Sequence, residues 1–289
     1  MVNSNKLLFI MLIATIIFTG CKDNKENISS KDNSSVNINT SVNNFADNSS
    51  DNNTTHINDN ISNDNISSDN ISAEQKYKYF PTHKGELRAL LQDENVDLGL
   101  IDVSKIIDFS FLFHNIKRSN YSGIEKWNTS HVITMESMFL NVKNFNEDIS
   151  SWDTSNVRDM ASMFEGAVSF NKNISKWNTS NVEDMSFMFA HAVKFNQDIS
   201  KWNTSKVKDM NSMFYYAETF NQDISNWDLS SLEYMGRMFY KADSFQQPLI
   251  PWGEYINKNK EIRVFEAFSH EPKWYMNLDE SKKTNIIEF

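Results

Sequence analysis

The chain has 289 residues, a formal net charge of −10 and a hydrophobic fraction of 39%. This acidity argues against nucleic acid as a partner, because phosphate recognition needs clustered Lys and Arg. The single cysteine, Cys21, excludes a disulfide framework and a thiolate metal cluster within one chain.

The N-terminal segment 1–20 predicts a secretory signal peptide. Lys6 precedes an apolar run at 7–18, and the small residue Gly20 stands directly before Cys21. As a helix this run spans roughly 18 Å, too short for a hydrocarbon core of about 30 Å. The Gly-Cys pair resembles the lipobox of bacterial lipoproteins, which implies lipid on Cys21 and export to a membrane-anchored position, with the cell surface as the expected location. The alternative is a soluble secreted protein with a free thiol.

Residues 21–75 predict a disordered tether. Positions 22–72 hold 15 Asn, 11 Ser and 7 Asp, with 3 Lys against 8 acidic residues. Such a composition cannot bury enough apolar surface to offset chain entropy. A flexible chain of this length spans roughly 40 Å, enough to lift a folded head above the lipid headgroups. The alternative is a segment without a role that varies because no fold constrains it.

A repeat of 25 residues occupies positions 101–252, and six of the seven tryptophans mark it. The six are Trp127, Trp152, Trp177, Trp202, Trp227 and Trp252. Fixed positions also hold ten of the thirteen methionines, which predicts a Met- and Phe-rich core. One copy is too small to hold a core alone, so we expect neighbouring copies to stack. The tryptophans are then a packed structural ladder, with a sugar-stacking strip as the alternative.

Inside one copy the pattern predicts a short strand, a turn, a short helix and a second turn. One apolar face at helical spacing predicts the helix, and the β-favouring stretch 173–177 predicts the strand. The face consists of Val157, Met160, Met163, Phe164, Ala167 and Phe170. The predicted fold class is therefore α/β, a solenoid of strand–turn–short-helix repeats preceded by a disordered linker.

Three stretches of the repeat resemble a known family. They read WNTSNV at 177–182, DMSFMF at 184–189 and FNQDIS at 195–200. They are similar to the repeat of BspA-like leucine-rich-repeat surface proteins. This resemblance implies an LRR-like solenoid of about five full copies and a degenerate first one. It also implies surface display, with binding of host proteins or antigen presentation as proposed roles, and it supplies no catalytic residue.

Two flanking segments are expected to cap the solenoid. Residues 76–100 contain leucines at helical spacing and resemble the helix that opens this domain, which predicts an N-terminal capping helix. Residues 253–289 lose the repeat and predict a C-terminal cap.

A search for chemistry finds no catalytic, cofactor or metal motif. The histidines share no repeat position, and no nucleotide-binding or serine-hydrolase signature occurs. Two columns of aspartates could hold Ca²⁺ between copies, but helix-start charge and turn hydrogen bonds explain them better. They are Asp159, Asp184 and Asp209, and Asp148, Asp198 and Asp223. We therefore expect no enzyme activity, no cofactor, no metal and no small-molecule substrate.

Exposed tyrosines predict a recognition patch, since Tyr is enriched at protein interfaces. Tyr215, Tyr216 and Tyr240 should point outward, with Tyr234 nearby. The predicted function is adhesion or protein recognition at the cell surface, with a host or extracellular protein as partner. The alternative is a coat or antigenic display protein without a dedicated ligand.

Overall fold

The computed structural model describes residues 76–258, 262–270 and 276. The predicted signal peptide, Cys21 and the tether at 21–75 lie outside the described residues, as does most of the predicted cap at 253–289.

Four helical elements flank or interrupt the repeats in the described ranges. Helix α1 spans Lys84–Gln92, 3₁₀-helices span Leu98–Leu100 and Ile124–Lys126, and helix α2 spans Ile250–Lys258. Helix α1 is capped at its N-terminus by side chains: His83 accepts from the Glu86 N–H, and the Glu86 carboxylate accepts from the Thr82 N–H at 2.7 Å. Helix α1 thus lies within the capping segment predicted at 76–100.

Consecutive 25-residue coils are joined to one another by parallel backbone bridges. The bridged pairs are Asp108–Thr134, Thr134–Asp159, Asp159–Asp184, Asp184–Asp209, Asp209–Tyr234 and Tyr234–Arg263. Each coil therefore lies beside the coils that precede and follow it in the sequence. We call the bridged surface, formed by residues 133–141, 158–166, 183–191, 208–216 and 233–241, the ladder face. The rest of each coil is its turn side.

Alternate peptide groups of the ladder face bond to the next coil. In one coil the donors are the N–H groups of Met160, Ser162, Phe164 and Gly166, and the acceptors are the carbonyls of Asp184, Ser186, Met188 and Ala190. The intervening N–H groups close turns inside the coil, as from Met163 to the Met160 carbonyl at 3.2 Å. The predicted short helix is therefore a run of turns, because half of its N–H groups donate to a neighbour. The stretch 173–177, predicted as a strand, also closes a turn, from the Trp177 N–H to the Ile174 carbonyl at 3.1 Å.

This bonding requires two left-handed residues in every coil, and most of them are not glycine. Phe187 and His191 both have φ of 57°, and the matching pair in the next coil, Ser212 and Tyr216, have φ of 55°. Left-handed φ costs a residue with a side chain about 1–2 kcal/mol. The bonds between coils offset this cost.

The core consists of columns of identical residues that continue from coil to coil. All six members of the predicted apolar face of one coil, from Val157 to Phe170, have 0% exposure. The Phe164 and Phe189 rings stack with centroids 5.7 Å apart and planes within 4°. Within a coil, the rings of Phe164 and Phe170 are 3.9 Å apart. The repeat therefore gives each buried ring the same surroundings in successive coils.

Helix α1 caps the first coil, because it supplies donors to carbonyls at the positions that in later coils accept from the preceding coil. The Lys84 Nζ donates to the Ser110 carbonyl at 3.3 Å, and the Arg88 guanidinium donates to the carbonyls of Leu112 and His114 at 2.8 and 3.0 Å. Because the ladder peptides align their carbonyls toward this end, two cations here complement the negative ends of the peptide dipoles, as they would at a helix C-terminus.

Candidate functional site: the ladder face

On the turn side of the coils, repeated polar side chains form hydrogen bonds with backbone groups of neighbouring coils. The Trp177 Nε1 donates to the Ile149 carbonyl of the preceding coil at 3.1 Å, and the Thr179 Oγ1 donates to the Asn203 carbonyl of the following coil at 2.9 Å. Asn171 Oδ1 accepts from the Asn196 N–H at 3.0 Å, the ladder that the repeated asparagine predicts. These side chains therefore pair backbone groups of neighbouring coils that would otherwise lack a protein partner.

The tryptophans form a continuous column through these coils. Trp152, Trp177, Trp202 and Trp227 stack at 6.3–6.5 Å from one to the next with nearly parallel planes. The column ends at Trp252 in α2, where the Nε1 is buried and has no hydrogen-bond partner among the described residues. These rings are at most 5% exposed, which leaves no face free for a sugar.

Both aspartate columns bind backbone N–H groups. Asp198 Oδ1 accepts from the Ser200 N–H at 2.9 Å, and Asp184 Oδ1 accepts from the Ser186 N–H at 2.8 Å. The interpretation of these carboxylates as turn hydrogen-bond acceptors is confirmed. Within the described ranges, no group of three or more His, Cys, Asp or Glu side chains could hold a metal ion.

The ladder face differs from the turn side in its composition from coil to coil. One of its positions holds Ile133, Arg158, Glu183, Lys208 and Glu233, and another holds Leu140, Glu165, Ala190, Tyr215 and Tyr240. By contrast, a turn-side position holds Ser130, Ser155, Ser180, Ser205 and Ser230. At these ladder-face positions the coils are joined by backbone–backbone hydrogen bonds, so the fold does not require a particular side chain there.

Charges on the ladder face alternate along the stack. The Lys208 Nζ contacts the Glu183 carboxylate at 2.6 Å, which lowers the pKa of Glu183 and raises that of Lys208. Beside them, desolvation and the negative charge of Asp184 raise the pKa of Asp209 to about 6. Burial also raises the pKa of Glu165.

Four aromatic rings cluster on the ladder face of the later coils. Tyr215 stacks on Tyr240 at 5.4 Å, and His191 stacks on Tyr216 at 5.0 Å. Tyr215 and Tyr216 join the two pairs with centroids 4.7 Å apart. Desolvation raises the pKa of Tyr215 and lowers that of His191. We call His191, Tyr215, Tyr216 and Tyr240 the aromatic patch.

The sequence predicts three exposed tyrosines here and does not indicate the histidine; in the structure Tyr215, Tyr216 and Tyr240 are half-buried because the rings cover one another. The available signal was the period, because His191 precedes Tyr216 by one repeat of 25 residues. Tyr234, also predicted nearby, lies at the bridged position beside Arg263.

Arginine–aromatic pairs occupy the end of the ladder face. The Arg263 guanidinium lies over the Tyr234 ring at 5.1 Å, and the Arg237 guanidinium lies over the Phe265 ring at 5.6 Å. Arg237 also contacts the Glu266 carboxylate at 2.5 Å. Gly236 makes room for the Phe265 ring, since a Cβ at that glycine would clash with it. This face therefore already pairs guanidinium groups with aromatic rings from adjacent coils.

The candidate lipid site, Cys21, lies outside the described residues. Among the helices that the structure describes, none combines the length and the apolar character needed to cross a membrane.

The repeats match one family model. The family described as "Mycoplasma protein of unknown function, DUF285" matches residues 87–191 and again residues 171–274. Together the two matches span more than half of the chain, and the chain therefore belongs to this family. No curated protein and no solved structure matches it.

Proposed function

We propose that this DUF285 protein is a lipid-anchored cell-surface protein that recognises another protein through its ladder face, without enzymatic activity. The observation that carries the proposal is that the two sides of each coil use their side chains differently. Several turn-side residues repeat because they pair backbone groups of neighbouring coils, whereas the ladder-face residues outside the buried core change from one coil to the next on a backbone that bonds to itself. A rigid surface that presents different side chains at regular intervals suits specific recognition.

We further propose that the coils form an LRR-like α/β solenoid of the BspA-like kind. The bridges between coils and the asparagine hydrogen bonds support this proposal, as do the stretches at 177–182 and 195–200 that resemble the repeat of those surface proteins. Surface display would place the ladder face within reach of host or extracellular proteins.

The recognition proposal is tested by blocking one side of the coils at a time. Ala161 lies on the ladder face and Lys172 on the turn side of the same coil. Particles coated with the full chain should adhere to host cells. Ala161→Trp should abolish this adhesion, whereas Lys172→Trp should leave it unchanged. Equal adhesion by all three proteins, or none by the parent chain, would contradict recognition through the ladder face and favour a display protein without a ligand.

The proposed anchor is tested at Cys21. Gly20 and the preceding apolar run support lipidation of this cysteine. Two or more acyl chains hold a protein stably on a membrane, whereas one chain does so only marginally. Cys21→Ala should therefore move the protein from the membrane fraction to the soluble fraction or the medium. Retention of the Cys21→Ala protein on membranes would refute the anchor.

A further inference from the structure

We propose that the aromatic patch binds an arginine-bearing peptide segment of a partner protein, with the guanidinium over the free face of Tyr240 and facing Asp243. This inference rests on the proposed function and names the chemistry of the partner. The first support comes from the rings. Stacking on Tyr215 covers one face of Tyr240, and within the described ranges no ring or cation covers the other.

The second support comes from the chain's own pairs. Tyr234 receives the guanidinium of Arg263 from the next coil, and Phe265 receives that of Arg237. The next described segment after Tyr240, residues 262–270, places no arginine against Tyr240. The ladder face thus repeats one mode of packing, and within the described ranges Tyr240 has no such guanidinium partner.

Charge supplies the third support. Glu218 and Asp243 are exposed, follow the patch residues by two or three positions and form no ion pair within the described part of the chain. Glu218 already acts electrostatically on His191 at the edge of the patch. The net charge of −10 attracts basic segments over a longer range and repels acidic ones. The ammonium group of Lys241 also lies beside the patch and repels a bound cation. Removing it should therefore strengthen binding.

Arginine is expected rather than lysine because its planar guanidinium stacks on an aromatic ring while its N–H groups reach carboxylates. An ammonium group is more strongly hydrated and gains less from the ring. A neutral sugar is disfavoured because each of the four rings already stacks on another ring of the patch, and a sugar carries no positive charge to pair with Asp243.

The test uses the full chain and four labelled peptides of ten residues, in which Gly alternates with Arg, Lys, citrulline or Glu. Fluorescence anisotropy should show saturable binding of the Arg peptide. The Lys peptide should bind about 5-fold more weakly, and the citrulline and Glu peptides should not bind measurably. Equal binding of the Arg and Lys peptides, or preferred binding of the Glu peptide, overturns the inference.

Variants locate the binding. Tyr240→Ser should weaken binding of the Arg peptide by about 10-fold, and Asp243→Asn by about 3-fold. Lys241→Ser should strengthen it about 2-fold, and Glu147→Gln, which removes a turn-side carboxylate, should leave it unchanged. Loss of binding in Glu147→Gln equal to that in Asp243→Asn would show a response to net charge alone and overturn the site. Circular dichroism checks that each variant is folded.

The two proposals can fail separately. If Ala161→Trp abolishes adhesion while Tyr240→Ser and Asp243→Asn leave it intact, the ladder face recognises a partner by other residues and only the arginine inference is wrong. If adhesion does not depend on the ladder face at all, the proposed function fails as well.

Discussion

The turn side and the ladder face of a coil use their side chains in opposite ways. On the turn side, Thr179, Asn171 and Trp177 each pair with a backbone group of a neighbouring coil. On the ladder face the backbone pairs with itself, from the Phe187 N–H to the Asn211 carbonyl at 2.8 Å and from the His191 N–H to the Tyr215 carbonyl at 2.7 Å. The difference teaches that repetition marks where the fold needs a particular side chain, and variation marks where it does not.

The largest expected effect comes from the buried columns that both sides share. Phe189 has 0% exposure and stacks on Phe164, Phe195 and Phe214 in its own and adjacent coils. Phe189→Ala should lower the free energy of unfolding by about 3–5 kcal/mol, because it leaves a cavity in a continuous stack. Urea denaturation checks this value. A loss below about 1 kcal/mol would mean that the coils do not share a core.

The next largest effect is expected at the cap of the ladder face. Arg88→Met should destabilise the protein by about 2 kcal/mol, because the carbonyls of Phe111, Leu112 and His114 lose a charged donor. Lys105→Met, at an exposed position in the first coil, should change stability by less than about 0.5 kcal/mol. Equal thermal midpoints for the two variants would refute capping by α1.

The carboxylates of the ladder face should make stability depend on pH. Folding raises the pKa of Asp209 from 3.8 to about 6, so the folded state holds this proton more tightly and loses stability as pH rises between these values. Asp209→Asn keeps an oxygen for the Asn211 N–H and removes the ionisation. It should stabilise the protein by about 1–2 kcal/mol above pH 6, after allowance for partial exposure, and by nothing below pH 3.8. A stabilisation by Asp209→Asn that is the same at pH 3.5 and pH 7.5 would show that it does not come from the ionisation of Asp209.

The smallest effect isolates the left-handed backbone of the ladder face. Phe187→Gly and Phe187→Val both remove the ring, but only glycine adopts the observed φ of 57° without strain. The glycine variant should be more stable than the valine variant by about 1 kcal/mol. The same comparison at turn-side Ser200, which is absent from the left-handed set, should favour valine or show no difference.

The sequence predicted the turn side better than the ladder face. Asn171 and Thr179 repeat because each performs one necessary pairing, and the period of 25 therefore reveals them. The buried face from Val157 to Phe170 was also correctly identified as core. The conformation of this stretch was predicted wrongly as a helix, because turns closed every three residues place side chains on one side much as a helix does.

Two properties of the ladder face could not be read from one copy. The pairing of Met160, Ser162 and Phe164 with the next coil exists only after stacking. The left-handed positions carry Phe187, Tyr216 and other residues in place of the glycine that usually indicates them. For the candidate site, residue type indicates Tyr215, Tyr216 and Tyr240, whereas only the repeat position, one period before Tyr216, indicates His191.

Amide hydrogen exchange followed residue by residue tests the central claim most directly. The N–H groups of Phe187 and His191 lie on the accessible ladder face, yet each donates to the next coil. If stacked coils form one cooperative unit, these N–H groups exchange as slowly as that of buried Met185, with a protection set by unfolding of the stack. Exchange of the Phe187 and His191 amides at the rate of an unprotected loop, beside a protected Met185, would contradict the account.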